Sequence, residues 1–422
     1  MGSAMRIMHT SDWHLGQYFM GKSREQEHQA FLDWLLVQIK EQGVDALIVA
    51  GDIFDTGTPP SYARALYNNF VVSLQPTGCQ LVVIGGNHDS VATLHESRQL
   101  LACLNAQVVG GIDGSLAQQV RVLKRRDGQP GAVLCAVPYL RPREVLTSQA
   151  GESGQDKRQA LQSAIQVHYD RLYQLACEQR DSQGEQLPII ATGHLTTVGG
   201  EISESVREIY IGTLEAFPAS AFPPADYIAL GHLHQAQRVG QHDHIRYSGS
   251  PIPLSFDEAA SPKQVLLADF AQGRLQQVEP LPVPRFQHLQ ILQGSLSEIE
   301  EQLNELMTSV PPQESLWLEV EVAGDDYLSD LQNRVQALCE GKPVDLLRVR
   351  RQRRGRPAAL RREAKETLTE LTIEEVFERR LSLEDFQDEA LVANLKTAFQ
   401  QIAAELAPGQ SAREDSQKWG RL

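Results

Sequence analysis

Thiolate pairs, long apolar runs and an excess of positive charge are all missing from this sequence, and each absence removes a class of function. The five cysteines (Cys79, Cys103, Cys135, Cys177, Cys339) are odd in number, scattered and never paired as C-x-x-C. That argues against a disulfide framework and a zinc-thiolate site, and it fits a reducing compartment. No apolar run approaches the ~18 to 20 residues a membrane span needs, and the N-terminus lacks a basic-then-apolar signal pattern, so a cytoplasmic protein is expected. Gly2-Ser3-Ala4 ahead of Met5 reads as a non-native addition, with Met5 the expected native start. The formal net charge is -15. That sign counts against nucleic acid as a partner unless basic residues cluster or bound cations invert the local field of an acidic site.

What is present is a chain of 422 residues with 41% hydrophobic and 22% charged content, enough for two or three soluble domains. Its chemistry-bearing residues stand at the ends of apolar runs. Asp12 and His14 follow Ile7-Met8; if they stand at a strand end, the period of two sends both side chains to one face. Ala46 to Ala50 ends in Gly51-Asp52-Ile53-Phe54-Asp55, and Leu81 to Ile84 ends in Gly85-Gly86-Asn87-His88-Asp89. The design resumes with Ile189 to Gly193 before His194 and with Tyr227 to Gly231 before His232 and His234. Between the first of these runs, apolar residues at helical spacing predict helices over Arg24 to Gln42 and Pro60 to Leu74. His28 on the first of them is expected at the surface. The strand-helix alternation predicts an α/β layered domain with ligands gathered at the carboxyl ends of its strands. One such histidine is more simply a hydrogen-bonded turn residue; the repetition at five strand ends is what points to a metal centre.

The series D-x-H, G-D-x-x-D, G-N-H-D, G-H and G-H-x-H, spanning residues 9 to 234, resembles the calcineurin-like metallophosphoesterase superfamily and, more narrowly, its bacterial nuclease subunits. The resemblance implies an α/β/β/α sandwich holding two metal ions. One would be held by Asp12, His14, Asp52 and His234, the other by Asp52, Asn87, His194 and His232, with Asp52 bridging. Carboxylate, carboxamide and imidazole donors without thiolate favour manganese over structural zinc. Two such ions ~3.5 to 4 Å apart can acidify water and clamp phosphoryl oxygens during in-line attack. His88, next to the ligand Asn87, is expected to face substrate and either stabilise the transition state or protonate the leaving oxygen. The resemblance further suggests that Asp55 orients His88 by accepting its other ring proton, although some family nucleases carry histidine there. Capping of the next helix is an equal alternative for Asp55.

Residues 5-282 are thus expected to form the phosphoesterase domain, with Ser250 as a supporting or substrate contact. The proline-dense stretch Pro280-Leu-Pro-Val-Pro284 reads as a linker. Over 285-350 the pattern is strand, helix (Leu296 to Met307), strand (Leu316 to Val322), helix (Tyr327 to Cys339), strand (Leu346 to Val349). In the related nucleases such an α+β domain caps the site and selects DNA. A basic cluster follows, Arg348, Arg350, Arg351, Arg353, Arg354, Arg356, Arg361 and Arg362, with 351-365 as a linker. Both phosphate-backbone binding and charge-based solubility account for it. Two amphipathic helices over 366-406 suit docking to a partner or packing on the α+β domain, and 407-422 is an expected tail. The resemblance implies a coiled-coil ATPase as partner, ATP acting only through it, and a homodimer within a heterotetramer. It implies cleavage of duplex ends, hairpins and single strands. A phosphoesterase for a small diester or phosphoprotein is the alternative, as is a scaffold without activity.

Overall fold

Strands buried on both faces need no polar alternation, and the uninterrupted runs of this sequence become the middle of two sheets. The computed structural model describes residues 4–351 except 113, 147–153, 185, 202, 204–205, 207–215, 310–314 and 324–329. The first sheet runs, in spatial order, Arg274–Pro282, Gln264–Ala271, Met5–Thr10, Ala46–Ala50, Gln80–Ile84 and Ala106–Val109, the last four strands parallel. The second runs Gln237–Val239, His242–Tyr247, Tyr227–Gly231, Ile189–His194, Pro130–Cys135 and Val120–Lys124, parallel through its four middle strands.

Alternate side chains of one strand serve different layers. Ile7, Ala46, Ile48, Val82 and Ile84 meet Leu134, Ile190, Tyr227 and Ala229 of the second sheet in one apolar core. Their neighbours Met8, Leu47, Val49, Leu81 and Val83 face the helices Glu25–Glu41 and Ser61–Leu74. The outer face of the second sheet is covered by Leu161, Ile165, Tyr169 and Leu172 of the helix Gly154–Ser182. The layers are helix, sheet, sheet, helix, as the family resemblance implies.

Two expectations are corrected. His28 is fully buried, because it lies on the same helical stripe as Phe31, Leu32, Leu35 and Ile39; burial pushes its imidazole down to about 3. Pro280 and Pro282 belong to the edge strand Arg274–Pro282, paired with Leu266 and Gln264. Proline is tolerated on an edge, where one side of the strand needs no donor, so this run is sheet and not a free linker.

Beyond it, Leu289–Gly294, Leu316–Val322 and Val344–Arg351 form a parallel three-stranded sheet, with helices Leu296–Ser309 and Leu331–Cys339 between them. Leu292, Ile299, Leu303, Leu318, Val320 and Val335 give this α+β region a core of its own. Arg353, Arg354, Arg356, Arg361, Arg362, the helices expected over 366-406 and the tail 407-422 lie outside the described residues.

Candidate metal centre

The strand Met5–Thr10 ends before Asp12 and His14, so the pleat does not aim them. Their loop instead runs beside the loop after Ala50. Asp12 N–H donates to Gly51 O at 3.0 Å, His14 N–H to Asp52 O at 3.0 Å and Leu15 N–H to Ile53 O at 2.9 Å. Asp12 (φ 53), His14 (φ 46), Asp52 (φ 50) and His232 (φ 96) all take positive φ, and only three other non-glycine residues among those described do so. Such conformations cost on the order of 1–3 kcal/mol each and persist where the surroundings enforce them. Here they turn four polar side chains toward one point.

Close approach does the rest. A Cβ on Gly86 would lie 2.1 Å from Asp52 Oδ1, and one on Gly51 would lie 2.2 Å from His194 Nδ1. Only glycine lets these loops pass so near the carboxylate and the imidazole.

Three groups of donor atoms result among the described residues, each within 4.8 Å: His14 with Asp55 and His88, Asp12 with His14 and His234, and Asp52 with His194 and His232. Asp52 Oδ2 links the last two, lying 3.7 Å from His14 Nε2 and 3.2 Å from His194 Nε2. Asn87 Oδ1 lies 2.9 Å from His194 Nε2. Asp12 accepts from the His232 N–H at 3.0 Å and from Ser11 Oγ at 2.6 Å. These side chains are buried apart from Asn87, which, like His88, is partly exposed.

The residues fit divalent cations on the structure's own terms. His14 Nε2 is buried without a hydrogen-bond partner, an arrangement costly unless something else takes its lone pair. The other ring nitrogens are already engaged: His14 Nδ1 meets Asp55 Oδ1 at 3.1 Å, His194 Nδ1 donates to Ala50 O at 2.9 Å, and His234 Nδ1 lies 3.5 Å from Glu258 Oε1. Partners of this kind fix the tautomer and leave Nε2 for a metal. Electrostatics agree. Burial opposes charge on Asp52, but His194, His14 and His88 outweigh it and hold the carboxyl well below its usual range. Burial likewise opposes a charged His194, yet Asp52 raises it to about 9. A cation would take the place of that proton.

The expected link between Asp55 and His88 exists through the main chain: His88 Nδ1 donates to Asp55 O at 2.7 Å, while the Asp55 carboxylate meets His14. The His88 N–H donates to Asp52 Oδ1 at 2.9 Å, which ties its loop to the centre. Of the two roles expected of Ser250, its surroundings suit the supporting one. It is fully buried, accepting from Lys263 Nζ at 2.8 Å and donating to Ile252 O at 2.9 Å. Arg348 and Arg350 are both tied to the buried Glu319, Arg350 Nε lying 2.7 Å from Glu319 Oε1, and both stay partly exposed. Arg351 is exposed at the end of its strand.

Sequence reasoning passed over three residues. Asp89 accepts from the N–H groups of Gly86, Phe54 and Ile53 at 2.9, 3.0 and 3.2 Å, clamping two ligand loops together; its place in G-N-H-D was a usable signal. Glu258 and Lys263, behind His234, had no signal, because they reach the centre only through folding. Burial acts to raise the Glu258 carboxyl, but His234 and Lys263 overcome it and hold it well below the usual range.

Neighbouring carboxylate and imidazole donor groups, at the strand ends of a four-layered sandwich, define a metal-dependent phosphoesterase. The calcineurin-like phosphoesterase model matches residues 5–236, and the chain belongs to that family. A second model, described as the type 5 capsule protein repressor C-terminal domain, matches residues 285–385. The chain is 56% identical over 395 residues to the SbcD component of the SbcCD nuclease of Escherichia coli strain K12, covering 94% of this chain and 97% of that one. The SbcD proteins of Rhodobacter capsulatus and Bacillus subtilis are 35% and 33% identical, over 84% and 64% of this chain and 90% and 67% of theirs. The protein is accordingly a hydrolase, a nuclease of the metallophosphoesterase kind. No helix among the described residues is long and apolar enough to cross a membrane.

Proposed function

We propose that the protein is the nuclease subunit of an SbcCD-like complex, cutting DNA at duplex ends, hairpins and single strands with two manganese ions in the cytoplasm. The observation that carries this reading is the pair of donor groups on either side of Asp52, with His88 and Asn87 partly exposed beside them. Asp12, His14, Asp52 and His234 would hold one ion, and Asp52, Asn87, His194 and His232 the other. Bound there, divalent ions supply Lewis-acid chemistry, acidifying water and neutralising charge on the phosphodiester. His88 keeps Nδ1 on the Asp55 carbonyl, so in its protonated form Nε2 donates to a phosphoryl or leaving oxygen. The Asp55 carboxylate holds His14 in its ligating orientation.

An SbcC-like coiled-coil ATPase is the partner this reading names, docking on the helices expected over 366-406, with ATP acting through that ATPase and two nuclease subunits per assembly. Arg348, Arg350, Arg351 and the arginines that follow them would supply the phosphate contacts. The discriminating assay incubates the chain with manganese and either a labelled hairpin duplex or bis-p-nitrophenyl phosphate. Hairpin cleavage abolished by Asp52→Ala supports the nuclease reading; cleavage of the small ester alone contradicts it.

A further inference from the structure

The short turn Phe256–Glu258 carries two buried residues with different neighbours. Phe256 packs edge-on against Phe19, ring centroids 5.1 Å apart, in a cluster completed by Leu289 and Trp317 of the α+β region. Trp317 stacks on the same Phe19 at 5.5 Å, and Arg348 lies over the Phe256 ring at 5.6 Å. Glu258 points its carboxylate elsewhere. Oε1 lies 3.5 Å from His234 Nδ1 and accepts from Ser203 Oγ at 2.7 Å; Oε2 accepts from Lys263 Nζ at 2.6 Å and from the Leu254 N–H at 3.0 Å. Lys263 also donates to the main-chain oxygen of His234 at 3.1 Å, so the ion pair grips that residue at both its ring and its backbone.

A buried ion pair is a weak source of net stability, since desolvation cancels most of its Coulombic gain. Its value here is geometric: a carboxylate on Nδ1 aims the opposite nitrogen at a cation. We propose that Glu258 is a positioning residue for His234 and that docking of the α+β region on Phe256 holds it in place. Occupancy of the Asp12–His14–His234 group then depends on a contact made outside the centre. This inference rests on the two-ion reading above.

The test is calorimetric titration of the full chain with manganese, with thermal unfolding of the metal-free protein recorded in parallel. Wild-type protein should bind two ions; fewer than two would overturn the underlying two-ion reading itself. Glu258→Gln and Trp317→Ala should each weaken one of the two steps about tenfold or more, in the range expected for lost ligand orientation, and leave the other step unchanged. The double variant Glu258→Gln/Lys263→Met, which leaves no unpaired buried charge, should show the same selective weakening with the fold retained. Two wild-type steps in Glu258→Gln or in Trp317→Ala would refute the proposal. So would a lowered unfolding midpoint with an unchanged titration, the pattern of a residue that only stabilises.

Discussion

Asp52 and Glu319 are equally buried, each about 1% exposed, yet they are surrounded in opposite ways. Glu319, on the central strand of the α+β sheet, sits between the guanidinium groups of Arg348 and Arg350, permanent charges that neutralise it. Asp52 sits between the imidazoles of His14 and His194, which can give up their protons. A carboxylate compensated by arginine is complete as it stands. One compensated by histidines can exchange protons for a metal, and His14 Nε2, buried without a hydrogen bond, marks where that exchange would begin. Burial alone therefore does not distinguish a functional carboxylate from a structural one; the titration behaviour of its partners does.

Substitutions at the two positions should separate these roles. Asp52→Ala removes the carboxylate that lies beside both His14 and His194, and cleavage should fall by at least ~10³-fold, corresponding to several kcal/mol of lost transition-state stabilisation. Hairpin cleavage assays check this, with circular dichroism confirming that the fold survives. His88→Asn should keep both ions, measured by titration, while cleavage falls ~10² to 10⁴-fold, the range of a lost general acid. Near-normal turnover in that variant would remove His88 from the chemistry. Glu319→Gln should act differently, costing about 3 kcal/mol in urea-unfolding stability because two guanidinium groups lose their counter-charge, while two ions still bind.

A pH dependence of stability belongs to neither carboxylate. Burial pushes His9 and His28 down to about 3 and His168 to about 4. These imidazoles stay neutral in the fold but take up protons near pH 6.5 when the chain unfolds. Stability is thus fully present above about 6.5 and declines as pH falls toward 4 and then 3, by up to about 1.4 kcal/mol per pH unit for each group. Urea midpoints at pH 7 and pH 5 check the sign; a higher midpoint at pH 5 would contradict it.

The layered architecture was legible because it depends on local patterns: apolar runs for doubly covered strands, helical spacing between them, and glycine at the turns. The boundaries of Leu316–Val322 coincide with the expected ones for this reason. The candidate ligands were legible too, since each follows an apolar strand and the set repeats. Backbone conformation was not. Asp12 and His14 share a side of the site through left-handed turns braced by the Gly51–Ile53 loop, which a pleat argument cannot foresee. Residues acting through tertiary contact were equally hidden. His28 looked polar and was placed outside, the ties of Ser250 to Lys263 and of Arg348 to Glu319 had no signal, and Glu258 and Lys263 carried no pattern at all. For His28 the usable signal was the apolar stripe of its own helix; for the others the deciding contacts form only on folding.

The central claim is that Asp52 is shared by two cations. Crystals soaked in manganese and measured at its absorption edge test it most directly. Two anomalous peaks, one among Asp12, His14 and His234 and one among Asn87, His194 and His232, both within bonding distance of Asp52, are the predicted result. A single peak, or two peaks that do not share Asp52, would contradict it.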